Sequence, residues 1–171
     1  MATTLTQTAH LNIRQFTIND AAFIFYLLNT PTCKQFIGER NINSQDDAEK
    51  YINNVPLSIY QKYGYGPWLV ELSDTLQPIG LCGLFKRNYL DKPDLGFAFL
   101  PGFEGRGLAY EASMAVLAYV QDNYGFDYIY ATTTAGNMRS QRLLTKCGFI
   151  RCGEVTPPDA ETLLLYQLNL Q

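Results

Sequence analysis

The segment Phe99-Leu100-Pro101-Gly102-Phe103-Glu104-Gly105-Arg106-Gly107-Leu108-Ala109 constrains this chain more than any other. Asp94 to Leu100, leading into it, is apolar and aromatic and reads as a strand. Leu108 to Tyr124, leading out, carries Leu108, Ala112, Ala115, Val116, Tyr119 and Val120 at helical spacing. A strand that turns through glycines into a long helix aims several backbone N–H groups, and the positive end of the helix, at one point. That arrangement attracts an anion. Gly105 and Gly107 have no side chain to keep a phosphate from the backbone. The spacing matches neither G-x-x-x-x-G-K-[ST] nor G-x-G-x-x-G, so the two common nucleotide loops are excluded. A tight turn with ordinary helix-start glycines is the competing reading.

The flanking chain supplies the rest of a mixed sheet. Leu11, Ile13 and Phe16 belong to a first strand, and Asp20 stands where it would cap the apolar helix that follows, to residue 28. Residues 30–43 read as a loop with at most one helical turn. Ser44, with Asp46, Asp47 and Glu49 behind it, opens a second helix, and Pro56 predicts a kink near Val55. Trp68–Leu72 and Ile79–Phe85 form a hairpin. Gly125 suits the position just past the long helix. Asp127–Thr133 is a β-branched and aromatic strand. Asn137 caps a helix running to Cys147, and Phe149–Val155 and Thr162–Leu170 are the last strands. Residues 1–9 are expected to be a flexible N-terminus, and 10–171 a single domain.

Composition narrows the function. With 171 residues the chain is one ordinary domain. A net charge of −3 argues against nucleic acid as the main partner, because binding phosphate backbones takes a basic stripe. The single histidine, His10, cannot build a histidine metal triad, and no metal site is expected. Cys33, Cys82, Cys147 and Cys152 form no C-x-x-C pair and fit free thiols in a reducing compartment. No apolar run reaches the ~18 residues of a membrane span, and the first residues lack the pattern of a signal peptide. The expected location is cytoplasmic.

Four stretches in order resemble the GNAT superfamily of acyl-CoA-dependent N-acetyltransferases. They are the opening L-N-I-R-Q-F-T-I-N-D-A, the hairpin W-L-V-E-L…I-G-L-C-G-L, the junction Glu104-Gly105-Arg106-Gly107-Leu108-Ala109 behind Pro101, and Asn137-x-x-Ser140-x-x-Leu143-x-x-Lys146-Cys147-Gly148-Phe149. The string F-E-G-R-G-L-A-Y-E-A is similar to the RimJ/RimL branch, which acetylates protein N-termini. The resemblance covers roughly residues 10–170. It implies an α+β (mixed α/β) fold of GNAT type. The central sheet would be twisted and mostly antiparallel, of about six to seven strands with flanking helices, and splayed between strands 94–100 and 127–133.

The resemblance also implies roles. The backbone at Glu104, Gly105, Arg106, Gly107, Leu108 and Ala109 would cradle the pyrophosphate of acetyl-CoA, the expected cosubstrate. The Phe99 N–H would polarise the thioester carbonyl, and Asn137 would bond the pantetheine arm that fills the splay. Asp94 stands where relatives often carry an acidic residue and could anchor a proton relay from the amine; a solvated strand-edge carboxylate is the competing reading. Glu111 reads as structural. Two positions depart from the family pattern. Glu replaces the usual Gln or Arg at 104, so its carboxylate should turn away from the phosphates. Leu144 falls where many relatives carry the tyrosine that protonates the departing thiolate, which leaves Ser140 as the nearest hydroxyl.

The expected activity is transfer of an acetyl group to an amine by direct attack in a ternary complex. The acceptor is a protein N-terminal α-amine, as on a ribosomal protein, or alternatively a polyamine, amino acid or aminoglycoside. A non-catalytic acyl-CoA-binding module is the reading from another class. A Cys147 nucleophile has no histidine to activate it. Dimeric relatives point toward a homodimer.

Overall fold

The computed structural model describes residues 2–170; Met1 of the expected tail and Gln171 of the expected domain lie outside the described residues. One sheet of eight strands runs in the order β1-β2-β3-β4-β5-β6-β8-β7. The strands are β1 (Thr4–Gln7), β2 (Leu11–Arg14), β3 (Pro67–Leu72), β4 (Pro78–Phe85), β5 (Asp94–Phe99), β6 (Tyr128–Thr133), β7 (Ile150–Val155) and β8 (Leu163–Asn169). Every pairing is antiparallel except β5 with β6. The strand beyond the expected six to seven is β1, inside the segment expected to be flexible. Its Thr4, Thr6 and Gln7 pair with Arg14, Ile13 and Asn12.

Strand alternation gives the sheet two apolar faces. Leu11, Ile13, Trp68, Val70, Cys82, Leu84, Leu95 and Phe99 pack under α5 (Leu108–Asn123) and α6 (Met138–Lys146). Leu69, Leu81, Phe85 and Ala98 point the other way, under α1 (Ala21–Leu28) and α3 (Gln45–Ile52). The short helices α2 (Pro31–Phe36) and α4 (Ser58–Tyr63) complete that second layer. α2 occupies part of the segment expected to be a loop; Thr30 caps it and Pro31 starts it. The kink expected near Val55 is a turn of π-helix over Asn53–Leu57, which contains Pro56.

Two expected caps are replaced by other contacts. Asp20 does not cap α1; its carboxylate turns back and accepts from the Thr17 N–H at 2.8 Å. Gly125 does not close α5: the chain leaves the helix at Tyr124 in an extended conformation, and the Tyr124 hydroxyl donates to the Gly64 carbonyl at 2.7 Å.

Asp20 turns back because Arg14 holds it. The guanidinium donates to both Asp20 oxygens, at 3.0 and 2.9 Å, and its Nε donates to Glu71 Oε2 at 3.1 Å. Asn12 donates to the other Glu71 oxygen at 2.7 Å. The network ties β2, β3 and the entry to α1 together with side chains largely shielded from water. These fixed carboxylates raise the Arg14 pKa, the Asp20 hydrogen bond most. Replacing Arg14 by Ala strands two buried carboxylates. The expected loss is about 3–5 kcal/mol of folding stability, read by urea denaturation; an unchanged midpoint would show that the network contributes nothing.

Candidate active site

The parallel pair β5–β6 is registered at one position, Asp94 opposite Tyr130, where the Tyr130 N–H donates to the Pro93 carbonyl at 3.0 Å. Beyond it the strands diverge, as the expected splay requires. The direction of each backbone group follows from the neighbouring ladders. Leu100 donates to Ile79 on β4 and Leu170 donates to Asp127 on β6. By alternation, Phe97 and Phe99 then turn their N–H and C=O groups away from β4 toward the gap, and Thr132 faces it from β6. The interior of the sheet therefore holds two facing strand edges with no partner for each other.

At the open end of this gap lies the glycine turn. Gly105 and Gly107 are left-handed, with φ of +72° and +78°, a conformation that disfavours any residue with a Cβ. The first bond of α5 is from Glu111 to the Gly107 carbonyl. Among the described residues no acceptor takes the amides of Gly105, Arg106, Gly107, Leu108, Ala109 and Tyr110, and no side chain caps the helix. Six consecutive donors at a helix start form an anion cradle.

The Glu104 carboxylate pairs with Arg139 at 2.9 Å, which joins the turn to the first residues of α6. Arg106 lies over the Phe103 ring, 5.3 Å from its centroid, and its charge stays beside the turn. Leu108 packs into the core, so only its backbone is available.

On α6, Asn137 accepts from the Ser140 N–H at 3.2 Å and caps the helix, which occupies its side-chain oxygen. Ser140 and Leu144 are the buried residues of this helix. They lie one turn apart on one face. Leu144 is a core residue, and Ser140 is the hydroxyl above it.

Asp94 and Phe99 do not meet. They lie at opposite ends of β5, about 17 Å apart, and their side chains point to opposite faces of the sheet. Phe97, which the sequence reading did not single out, offers a second gap-facing N–H about 10 Å from Asp94. The Thr134 hydroxyl, just past β6, is buried without a partner among the described residues. The period of two would have flagged Phe97; nothing in the sequence marks Thr134.

Asp94 is 2% exposed. Burial raises its pKa above the ordinary carboxylate range, and Arg87 opposes the rise. The cysteines are no substitute for a base. All four are free, burial pushes Cys82 up to about 12, and burial raises Cys33 and Cys147. A neutral buried thiol is a poor nucleophile. Among the described residues no cluster of His, Cys, Asp and Glu could hold a metal, and no helix is long and apolar enough to cross a membrane.

Gly107→Ala tests the cradle. In the free chain its Cβ meets nothing within 4 Å, so the folding cost is that of the left-handed torsion alone, about 1–2 kcal/mol. Calorimetric titration with coenzyme A should show affinity falling at least tenfold; unchanged affinity would remove the assignment.

Comparison with known proteins agrees with this geometry. Residues 10–150 match the family model described as Acetyltransferase (GNAT) domain. The chain is 28% identical over 148 residues to the uncharacterized N-acetyltransferase YoaA of Bacillus subtilis (strain 168), covering 86% of this chain and 83% of that one. Its fold is similar to RimL, a ribosomal L7/L12 alpha-N-protein acetyltransferase solved with coenzyme A. The TM-score is 0.83 at 14% identity, over 98% of both chains. It is also similar to a chimera of the Vibrio cholerae spermidine N-acetyltransferase and hSSAT. There the TM-score is 0.75 at 20% identity, over 93% of this chain and 95% of that one.

Proposed function

Because the chain belongs to the GNAT acetyltransferase family, we propose that its β5–β6 gap receives the pantetheine arm of acetyl-coenzyme A and delivers the acetyl group to an amine held beside Asp94. The observation that carries this reading is the row of unpartnered amides from Gly105 to Tyr110, at the open end of the gap beside the unpaired edge of β5. Amides in a row suit a pyrophosphate, and an open strand edge suits the two amides of pantetheine.

The chemistry follows from these groups. The amine nitrogen attacks the thioester carbon, a C–N bond forms, and the C–S bond breaks. One gap-facing N–H of β5 stabilises the negative charge that gathers on the carbonyl oxygen, that of Phe97 being nearer to Asp94 and that of Phe99 nearer to the glycine turn. The amine must attack as the free base. An α-amine has a pKa near ~8, so removing its proton is mild. Asp94, raised by burial, takes that proton directly or through water. Ser140 stabilises the departing thiolate by a hydrogen bond, which Leu144 cannot offer, and the thiolate takes up the proton released by the amine through water.

The acceptor we favour is a protein N-terminal α-amine, such as that of a ribosomal protein, in a RimJ/RimL-like enzyme. The likeness to RimL supports this; the likeness to a spermidine enzyme supports a small-molecule amine as the second reading. With four free cysteines, the reading includes a cytoplasmic location and, by resemblance to the same branch, a homodimer.

Release of coenzyme A thiol, followed with N-terminal peptides of ribosomal proteins, polyamines and amino acids, tests the activity. Binding of acetyl-CoA without turnover on any amine would leave a non-catalytic binding module instead. Ser140→Ala should lower kcat by about 10- to 100-fold with little change in KM; a wild-type rate returns Ser140 to packing. The acid limb of the pH–rate profile should lie above the ordinary carboxylate range, because protonating Asp94 removes the base, and Asp94→Asn should abolish that limb.

A further inference from the structure

The second apolar face of the sheet holds a charged cluster that the reaction as described does not use in full. Arg87 follows β4, and its guanidinium lies over the Phe85 ring, 4.6 Å from the centroid. Phe85 is directly opposite Asp94 in the β4–β5 register. Its ring lies against Gly96, where a Cβ would come within 2.6 Å of it. Gly96 thus lets the ring lie flat beside the start of the splay, with Arg87 on top.

Arg87 Nε stands 3.3 Å from Asp94 Oδ1. Both atoms are buried, and neither has a hydrogen-bond partner. The contrast with Arg14 is direct, since that guanidinium aligns with both of its carboxylates. Buried donors and acceptors are rarely left unmade in a folded chain. An acceptor group for Arg87 and a donor group for Asp94, side by side, would complete the pair.

The surrounding charge has a sign. Arg40, in the segment after α2, and Arg87 both lie close enough to the Tyr51 and Tyr89 hydroxyls to act on them. Arg40 forms no ion pair among the described residues. Glu104, the other carboxylate that reaches this side, through Cys33, is taken by Arg139. Around the Tyr89 hydroxyl two guanidiniums stand against the one carboxylate of Asp94, which disfavours a polycation there.

Resting on the acetyltransferase reading, we propose that Arg87 and Asp94 together recognise an α-aminoacyl group: Asp94 takes the amine N–H, and Arg87 takes the oxygen on the carbon next to the amine-bearing carbon. In such a group the nitrogen and that oxygen are about 3 Å apart, which matches the spacing of the two unpartnered protein atoms. A free α-amino acid offers a carboxylate there and a peptide N-terminus offers a carbonyl. Alkylamines and polyamines offer neither. Arg87 is then a specificity-determining residue, and its planar fork suits the task better than a lysine ammonium.

The test measures kcat/KM at saturating acetyl-CoA for alanine, alaninamide, an Ala-Gly-Gly peptide, isopropylamine and spermidine, at matched concentrations of free amine. The α-aminoacyl acceptors should exceed isopropylamine and spermidine at least about tenfold, with the alanine and peptide arms telling a free amino acid from an N-terminus. Arg87→Gln should collapse that ratio. Should Arg87→Gln not fold for want of a partner for Asp94, Arg87→Lys keeps the charge, loses the fork and should still lower the ratio severalfold. Equal rates for isopropylamine and alanine would overturn the proposal. So would variants that slow every amine alike, since a purely structural Arg87 leaves the ratio untouched. Thiol release with none of the five would remove the acetyltransferase reading itself, and this proposal with it, whereas release without selectivity removes only the role of Arg87.

Discussion

The divergence of β5 from β6 after a single registered pair governs the molecule. A sheet interior normally satisfies its own backbone, and the cost of leaving amides and carbonyls unpaired is what makes sheets continuous. Here β5 is held by β4 along its whole length and β6 by β8 along its own. Each strand is anchored on its outer side, so the inner edges can open without unravelling the sheet. α5 connects the two strands and begins at Leu108, beyond the 3-10 turn Pro101–Phe103 that follows β5. The amides that no helix accepts lie at the open end of the gap whose edges no strand fills, and one extended ligand with a phosphate at its end can satisfy both.

Charge is distributed in the same spirit. Only 17% of the residues are charged, and the buried ones fall into two kinds. Arg14, Asp20, Glu71 and Asn12 close a network with aligned bonds, and it fastens the first strands to the first helix. Arg87 and Asp94 touch without aligning. The closed network belongs to folding, whereas the open pair lies at the registered start of the splay, where its unaligned groups remain free for a ligand. The anion cradle needs no buried lysine, because backbone dipoles supply its positive potential. On the proposed reading, an acidic protein with one histidine holds a phosphate through its backbone rather than through a basic patch.

Most of the sheet is legible in the sequence because its strands and helices differ in period. Trp68–Leu72, Ile79–Phe85 and Asp94–Leu100 alternate on a sheet with two covered faces, and Leu108–Tyr124 has one clear stripe. β1 was hidden because Thr-Leu-Thr-Gln is short, polar and on an edge, where pairing depends on β2 being present rather than on apolar burial. The insertion of β8 between β6 and β7 leaves a trace: Leu163–Asn169 is apolar and inner, while Ile150–Val155 is polar, bulged and outer. Asp20 and Gly125 were read by local rules, and each lost to a longer-range partner, Arg14 in one case and the Tyr124–Gly64 bond in the other.

The sequence by itself determined the strand–glycine–helix junction and the free amides it produces, because each depends on neighbours in the chain. The tertiary structure decided what depends on distant segments. It opened β5 from β6 after one registered pair, so that Phe97 and Phe99 face a gap rather than a neighbouring strand. It turned Glu104 to Arg139 and left Arg87 beside Asp94 without alignment. Local conformation follows from nearby side chains and backbone sterics. Which polar group is satisfied and which is left open is settled only when strands from across the chain are laid side by side.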